Sequence, residues 1–134
     1  MSGLVLKLGP QERVLINGAV IENSDKRTRF SILTPGVNVL RLREAIPPNE
    51  VNTPVSRLCF TAQMVLSGDL KLVDVRDQLL LGIEQLSQIF RDSDSREFLE
   101  RATVTVVNGQ IYQTLRALRM LLPREARLLA ALQR

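Results

Sequence analysis

Six cations in the first 43 residues are the side chains best suited to chemistry: Lys7, Lys26, Arg27, Arg29, Arg41 and Arg43. The chemistry they suit is contact with a polyanion. A guanidinium forks to phosphate oxygens and stacks on planar groups, while an ammonium supplies a point charge. Arg41 and Arg43 stand two residues apart, which on a strand places both on one face. Lys26, Arg27 and Arg29 fall at a turn and a strand start, where side chains reach outward. The same residues are also what any solvated sheet face displays, so type and spacing leave both readings open. Aromatic platforms are scarce, at 4% with no Trp, and the nearby Phe30 is expected to point into the core.

Other chemistries find little support. The absence of histidine removes the commonest general base, metal ligand and pH switch. Cys59 is the single cysteine, so no internal disulfide can form, and its place beside Leu58 in an apolar stripe reads as core. The seven glycines give neither a dinucleotide fingerprint nor a phosphate loop. The expectation is a protein that is not an enzyme and uses no cofactor or metal. The apolar run Leu4 to Leu6 is too short for a signal peptide and no stretch suits a membrane span, so the expected location is the cytoplasm.

Charge is unevenly placed. Residues 1–57 carry a net +3, residues 58–109 a net −3 and residues 110–134 a net +4. A basic head and tail around an acidic middle point to polyanion contact at the ends, although ordinary solvated charge gives the same tally. Arg116, Arg119, Arg124, Arg127 and Arg134 fall largely on one helical face and read mainly as its solvated side.

Positioning the amino-terminal cations takes a sheet. Leu4, Leu6 and Leu8 alternate with Val5 and Lys7, a period of two that predicts a strand. Gly9-Pro10-Gln11-Glu12 predicts a turn, and Arg13 to Ile16 a second strand. Asn17-Gly18, between Val14-Leu15-Ile16 and Ala19-Val20-Ile21, predicts a type I′ hairpin, because both residues tolerate positive φ. Thr28 to Leu33 and Val37 to Arg43, separated by Thr34-Pro35-Gly36, complete five short strands.

Pro47-Pro48-Asn49 marks a hinge, dividing the chain into a β lobe (1–48) and a helical lobe (49–134). Thr53-Pro54 reads as an N-cap and first helical residue, with Val55, Leu58, Ala62 and Val65 striping the helix as far as Gly68. Asp69 is the expected cap of the next, striped by Leu72, Val75, Leu79, Ile83, Leu86 and Phe90. Phe98, Ala102 and Val106 line a third helix from about Ser95, although the β-branched run Thr103 to Val107 also suits a strand. Ile111, Leu115, Leu118 and Leu122 stripe a fourth. Pro123 starts a fifth, with Leu128, Leu129 and Leu132 as its apolar residues. The fold class is α+β: a small N-terminal antiparallel five-stranded sheet or barrel, then a bundle of four to five helices.

These segments resemble a known family. Arg13-Val14-Leu15-Ile16-Asn17-Gly18-Ala19-Val20-Ile21, Lys26-Arg27-Thr28-Arg29-Phe30, Val39-Leu40-Arg41-Leu42-Arg43-Glu44 and Thr53-Pro54-Val55-Ser56-Arg57-Leu58-Cys59-Phe60 stand in order along the chain. They are similar to the "ING-AVI", "RRTRF", "ILRE" and "TPAKRIYFA" motifs of the FlbT family. Asn108-Gly109-Gln110-Ile111-Tyr112-Gln113-Thr114-Leu115-Arg116-Ala117-Leu118-Arg119 resembles its "LNGDFYKALKALR" more weakly. The resemblance implies post-transcriptional control of flagellin through the leader of its messenger RNA, alongside the helical protein FlaF.

The first 46 residues also resemble, more loosely, the carbon-storage regulator CsrA. Leu4-Val5-Leu6-Lys7 with Glu12-Arg13-Val14-Leu15-Ile16 stand in its opening pattern, and Leu42-Arg43-Glu44-Ala45-Ile46 in its last strand. That likeness implies an RNA surface on the first and last strands, with Arg43 at the family's arginine, and a homodimer through the β lobe. The basic pair late in the family's first strand is Leu8-Gly9 here, a departure that separates fold from RNA motif. Two functions follow as expectations. One is an RNA-binding regulator using Lys7, Lys26, Arg27, Arg29, Arg41 and Arg43. The other is a protein-binding adaptor or chaperone whose helices hold FlaF or flagellin, which predicts exposed Leu, Ile or Met on the helices.

Overall fold

A computed structural model describes residues 4–133 of the protein. These residues form five strands: β1 Leu4–Leu8, β2 Arg13–Ile16, β3 Ala19–Glu22, β4 Thr28–Ile32 and β5 Val39–Arg41. Five α-helices follow: α1 Pro54–Leu66, α2 Leu72–Ser87, α3 Ser93–Val107, α4 Ile111–Arg119 and α5 Leu122–Leu132. The class is α+β, as the residue patterns predict.

Every strand pair is antiparallel, but the strands make two sheets instead of one. β1 pairs with β4, and β2 lies between β3 and β5. The barrel alternative does not form, because closure requires each strand to be paired along both edges and here four edges stay open. The hairpin is as expected: Asn17 and Gly18 hold φ values of +49° and +83°, with Ile16 opposite Ala19.

β5 is shorter than the pattern Val37 to Arg43 suggests. It stops at Arg41, and Leu42–Glu44 turns as one 3-10 coil. Val39 and Leu40 are both buried. Leu40 joins the main cluster of the helices, whereas Val39, like Leu6, Leu8 and Val14, is buried outside it. The strand thus serves both parts of the molecule. Gln63 of α1 grips the connector from the helical side, accepting from the Ile46 N–H at 2.7 Å and donating to the Ile46 carbonyl at 3.2 Å.

Local chemistry sets the helix starts. Thr53 Oγ1 accepts from the Ser56 N–H at 3.2 Å while Ser56 Oγ accepts from the Thr53 N–H at 2.9 Å. This reciprocal cap satisfies two donors that the first turn cannot pair internally. Asp69 does not cap α2; its carboxylate accepts from Ser67 Oγ at 2.6 Å, two residues back, and α2 begins only at Leu72. Thr103 to Val107 is helical throughout. Its hydroxyls cost the helix little because Thr103 and Thr105 donate to the carbonyls of Leu99 and Arg101, one turn earlier.

The α2 stripe is buried at Val75, Leu79, Ile83 and Leu86, with Phe90 just beyond it. Gly82 lets α1 approach: a Cβ there would lie 2.5 Å from Leu58 Cδ2. The fifth helix departs from its pattern, since Leu128, Leu129 and Leu132 are exposed and its one buried residue is Glu125. Glu125 Oε2 accepts from the Val55 N–H at 2.9 Å. A carboxylate at the positive end of α1 outweighs an apolar stripe that finds nothing to cover.

Candidate nucleic-acid interface

Lys7 on β1 and Arg29 on β4 are direct cross-strand partners. Partners in an antiparallel pair point to the same face, so the two side chains stand together on the side opposite the buried Leu6 and Leu8. Like charges placed directly opposite each other destabilise a sheet. Lys7, Arg27, Arg29 and Arg43 line one cavity of about 380 Å³ with Leu8, Gly9, Glu12 and Thr28. Of these cations only Arg43 makes an ion pair among the described residues. An open cleft holding four cations and one carboxylate can take phosphate, with guanidinium planes available for a base.

Arg41 does not belong to this group. Its strand neighbour Arg43 has moved into the 3-10 turn, so the two arginines do not share a strand face. Arg41 is withdrawn from solvent, its side chain 15% exposed against 62% for Arg43. Its Nη2 donates to the Lys7 carbonyl at 2.8 Å and its Nη1 to Glu12 Oε2 at 3.3 Å. The expectation of two solvent-facing arginines on the last strand is therefore corrected: one is a cleft cation and the other a half-buried brace. Lys26 is exposed on the turn, outside the cleft.

Two residues outside the expected cation set shape the cleft, Glu12 in its lining and Asn23 behind it. Glu12, with a side chain only 7% exposed, lies 3.3 Å from Arg43 Nε through Oε2 and accepts from the Gly9 N–H at 2.9 Å through Oε1. Asn23 Nδ2 donates to the carbonyls of Gly9 at 2.7 Å and Lys26 at 2.9 Å, tying the turn before Arg27 to the end of β1. Glu12 stands in the predicted turn Gly9-Pro10-Gln11-Glu12, where a polar residue attracts no notice. The contacts of Glu12 with Arg43 and of Asn23 with Gly9 span long stretches of sequence, so only the folded chain reveals them.

The tail cations have other duties. Arg119 pairs with Glu44 at 2.9 Å, and Arg124 pairs with Asp92 at 3.0 Å while lying over the Phe98 ring. Arg116 lies 6.0 Å from the Tyr112 ring centroid. Arg127 is exposed, and Arg134 lies outside the described residues. Cys59 is buried in the main cluster, and that burial pushes its thiol up to about 12. No helix among the described residues is long and apolar enough to cross a membrane.

The family model described as "Flagellar protein FlbT" matches residues 4–129. A protein of Rhodopseudomonas palustris (strain TIE-1) is 34% identical over 129 residues, covering 95% of this chain and 98% of the relative. One of Allorhizobium ampelinum is 32% identical over 128 residues, covering 96% and 85%. One of Brucella abortus (strain S19) is 28% identical over 126 residues, covering 94% and 82%. Each of the three is named "Probable flagellum biosynthesis repressor protein FlbT". No solved structure gives a significant match. With nearly the whole chain matched and relatives above 30% identity covered almost end to end, this protein belongs to the FlbT family of flagellar proteins.

Proposed function

We propose that the chain is a regulator, not an enzyme, and that it represses flagellum biosynthesis as its relatives' names describe. It acts in the cytoplasm on the messenger of flagellin, binding the leader of that RNA through the cleft of Lys7, Arg27, Arg29 and Arg43. The observation that carries this reading is the Lys7–Arg29 pair, two like charges directly opposite on an exposed face, neither of which makes an ion pair among the described residues. A sheet that keeps such a pair gains nothing in stability from it; a phosphate backbone turns the repulsion into attraction.

The test is fluorescence anisotropy of a labelled flagellin leader RNA with the purified full chain. Binding in the absence of FlaF is expected, together with at least a tenfold loss in a Lys7→Ala/Arg29→Ala variant whose thermal midpoint is unchanged or raised. No binding without FlaF, or a double variant that binds like the parent, overturns the assignment.

A second reading keeps a specific observation in its favour. Leu81, Ile89, Met120 and Leu132 are all more than half exposed on the helical part, which suits an adaptor holding FlaF or flagellin. The two roles are compatible, since an adaptor can present a protein to an RNA. We also propose a homodimer through the β lobe. β3 is an outer strand of its sheet, with no strand on its other edge among the described residues and with exposed Val20 and Ile21, and open edges of this kind favour pairing.

A further inference from the structure

A second cavity, of about 640 Å³, has a lining distinct from that of the basic cleft and lies between β1 and the α4–α5 corner. Leu4, Val5 and Leu6 form one wall, and Tyr112, Arg116, Arg119, Met120, Leu122 and Pro123 the other, with Arg41 and Glu44 also lining it. Successive strand residues point to opposite faces, so a hollow lined by three in a row runs along the edge of the strand. Among the described residues β1 has β4 as its one partner strand, so no strand pairs with Leu4 to Leu6 on this side, although Arg41 takes up the edge at Lys7. Arg41 reaches across to the Lys7 carbonyl at 2.8 Å, marking the side of β1 that faces the cavity.

The walls are apolar and partly bare, with Leu4, Val5 and Met120 all exposed. The charges are unbalanced. Arg41 is held by Glu12 and Arg119 by Glu44, whereas Arg116, seated on the Tyr112 ring, has no carboxylate partner among the described residues. A strand edge beside a helix, apolar pockets and a spare guanidinium together define a ligand. We propose that this groove docks an extended peptide segment of a partner protein, added as a third strand along β1. The peptide carries alternating apolar side chains and a carboxylate that meets Arg116. The mixed apolar wall favours a peptide over RNA, whose bases would find one ring, and that ring already occupied by Arg116. The inference stands apart from the RNA reading, which concerns the other cleft.

The test uses the full chain as bait for two phage-displayed libraries of random decapeptides, one with free carboxyl termini and one displayed internally. Selected peptides are then synthesised and titrated into the ¹⁵N-labelled protein. Selection is expected to enrich alternating apolar residues with Asp, Glu or a terminal carboxylate. Enrichment in both libraries marks an acidic side chain, and enrichment in the free-terminus library alone marks a chain end. Amide signals of Val5, Leu6, Tyr112 and Met120 should shift. Arg116→Glu and Met120→Glu, both at exposed positions, should each weaken binding at least tenfold, and a peptide with Lys in place of its acid should regain affinity for Arg116→Glu.

Four results each overturn the proposal. Selection could yield no peptide, or peptides that shift signals elsewhere. A single-stranded RNA could shift the groove signals in place of peptide. Concentration-dependent shifts of those signals in the protein alone would mean that a second copy fills the groove.

Discussion

One oxygen of Glu12 meets Arg41 and Arg43 while the other accepts from the Gly9 N–H, and the carboxylate is almost out of water. Removing one partner of a buried pair leaves the other uncompensated, which costs more than the pair contributes. Glu12→Ala is expected to lower stability by about 2–3 kcal/mol in urea unfolding, and Arg41→Ala to lower it by a similar amount. Arg43→Ala should leave stability within about 0.5 kcal/mol, since its guanidinium is exposed and Glu12 keeps Arg41 as a partner, and weaken RNA binding about tenfold. If Arg41→Ala and Arg43→Ala instead lose the same affinity at unchanged stability, the brace is wrong. Lys7, Arg27, Arg29 and Arg43, which share the cleft, were among the six cations singled out by type and spacing, but Arg41 was not separable from Arg43, because a strand ending two residues earlier cannot be read from alternating apolar positions. Cys59 was legible as core. Its raised pKa means that the folded thiol stays neutral while an unfolded one ionises, so stability is full below about pH 9 and falls as pH rises from 9 to 12. A thiol reagent at pH 8 should label the native protein far more slowly than the unfolded chain.

At the scale of elements, what the sequence announces locally is what forms: the Asn17-Gly18 hairpin, the Thr53-Pro54 start of α1 and the α2 stripe each depend on neighbours a few residues away. Asp69 failed as a cap because Ser67 competes for the same carboxylate at short range. The Leu128, Leu129 and Leu132 stripe failed because α5 is anchored elsewhere, by Glu125 at the start of α1, seventy residues away in sequence. No pattern inside α5 encodes that. Glu125→Ala leaves the Val55 N–H without its acceptor in a buried place, at a cost of about 2 kcal/mol. The loss should be local: amide hydrogen exchange in α5 and in the first turn of α1 should rise, with α2 and α3 unchanged. Uniform acceleration across all helices would show that Glu125 supports the whole core instead of one junction. Asp92, the cap of α3, is a second case. Hydrogen bonding from Ser95, side chain first and then backbone, holds its carboxyl below the usual range. The stabilisation it gives is fully present above the usual carboxylate range and is lost as pH falls below that range, through the lowered folded value.

Across the whole molecule, the cations of the head and of the tail are put to different uses, which the net charges of the segments cannot show. In the tail, Arg119 and Arg124 are engaged by Glu44, Asp92 and Asp94, and Arg116 and Arg124 lie over aromatic rings, whereas Lys7, Arg27 and Arg29 have no carboxylate partner among the described residues. Release of condensed counterions should therefore come from the head. For single-stranded RNA each neutralised phosphate contributes roughly 0.7 to the slope of log affinity against log salt. Four cleft cations give a slope of roughly −3, so affinity should fall about fiftyfold between 50 and 200 mM salt. Arg29→Ala should flatten the slope by about 0.7, because it removes one phosphate contact. Arg127→Ala, the same charge change on an exposed tail position, should leave the slope where it was. Equal flattening by both variants would mean that the RNA senses only the net charge of the protein, with no cleft involved. Flattening by Arg127→Ala alone would move the interface to the helices, and the like-charged pair on β1 and β4 would need another partner.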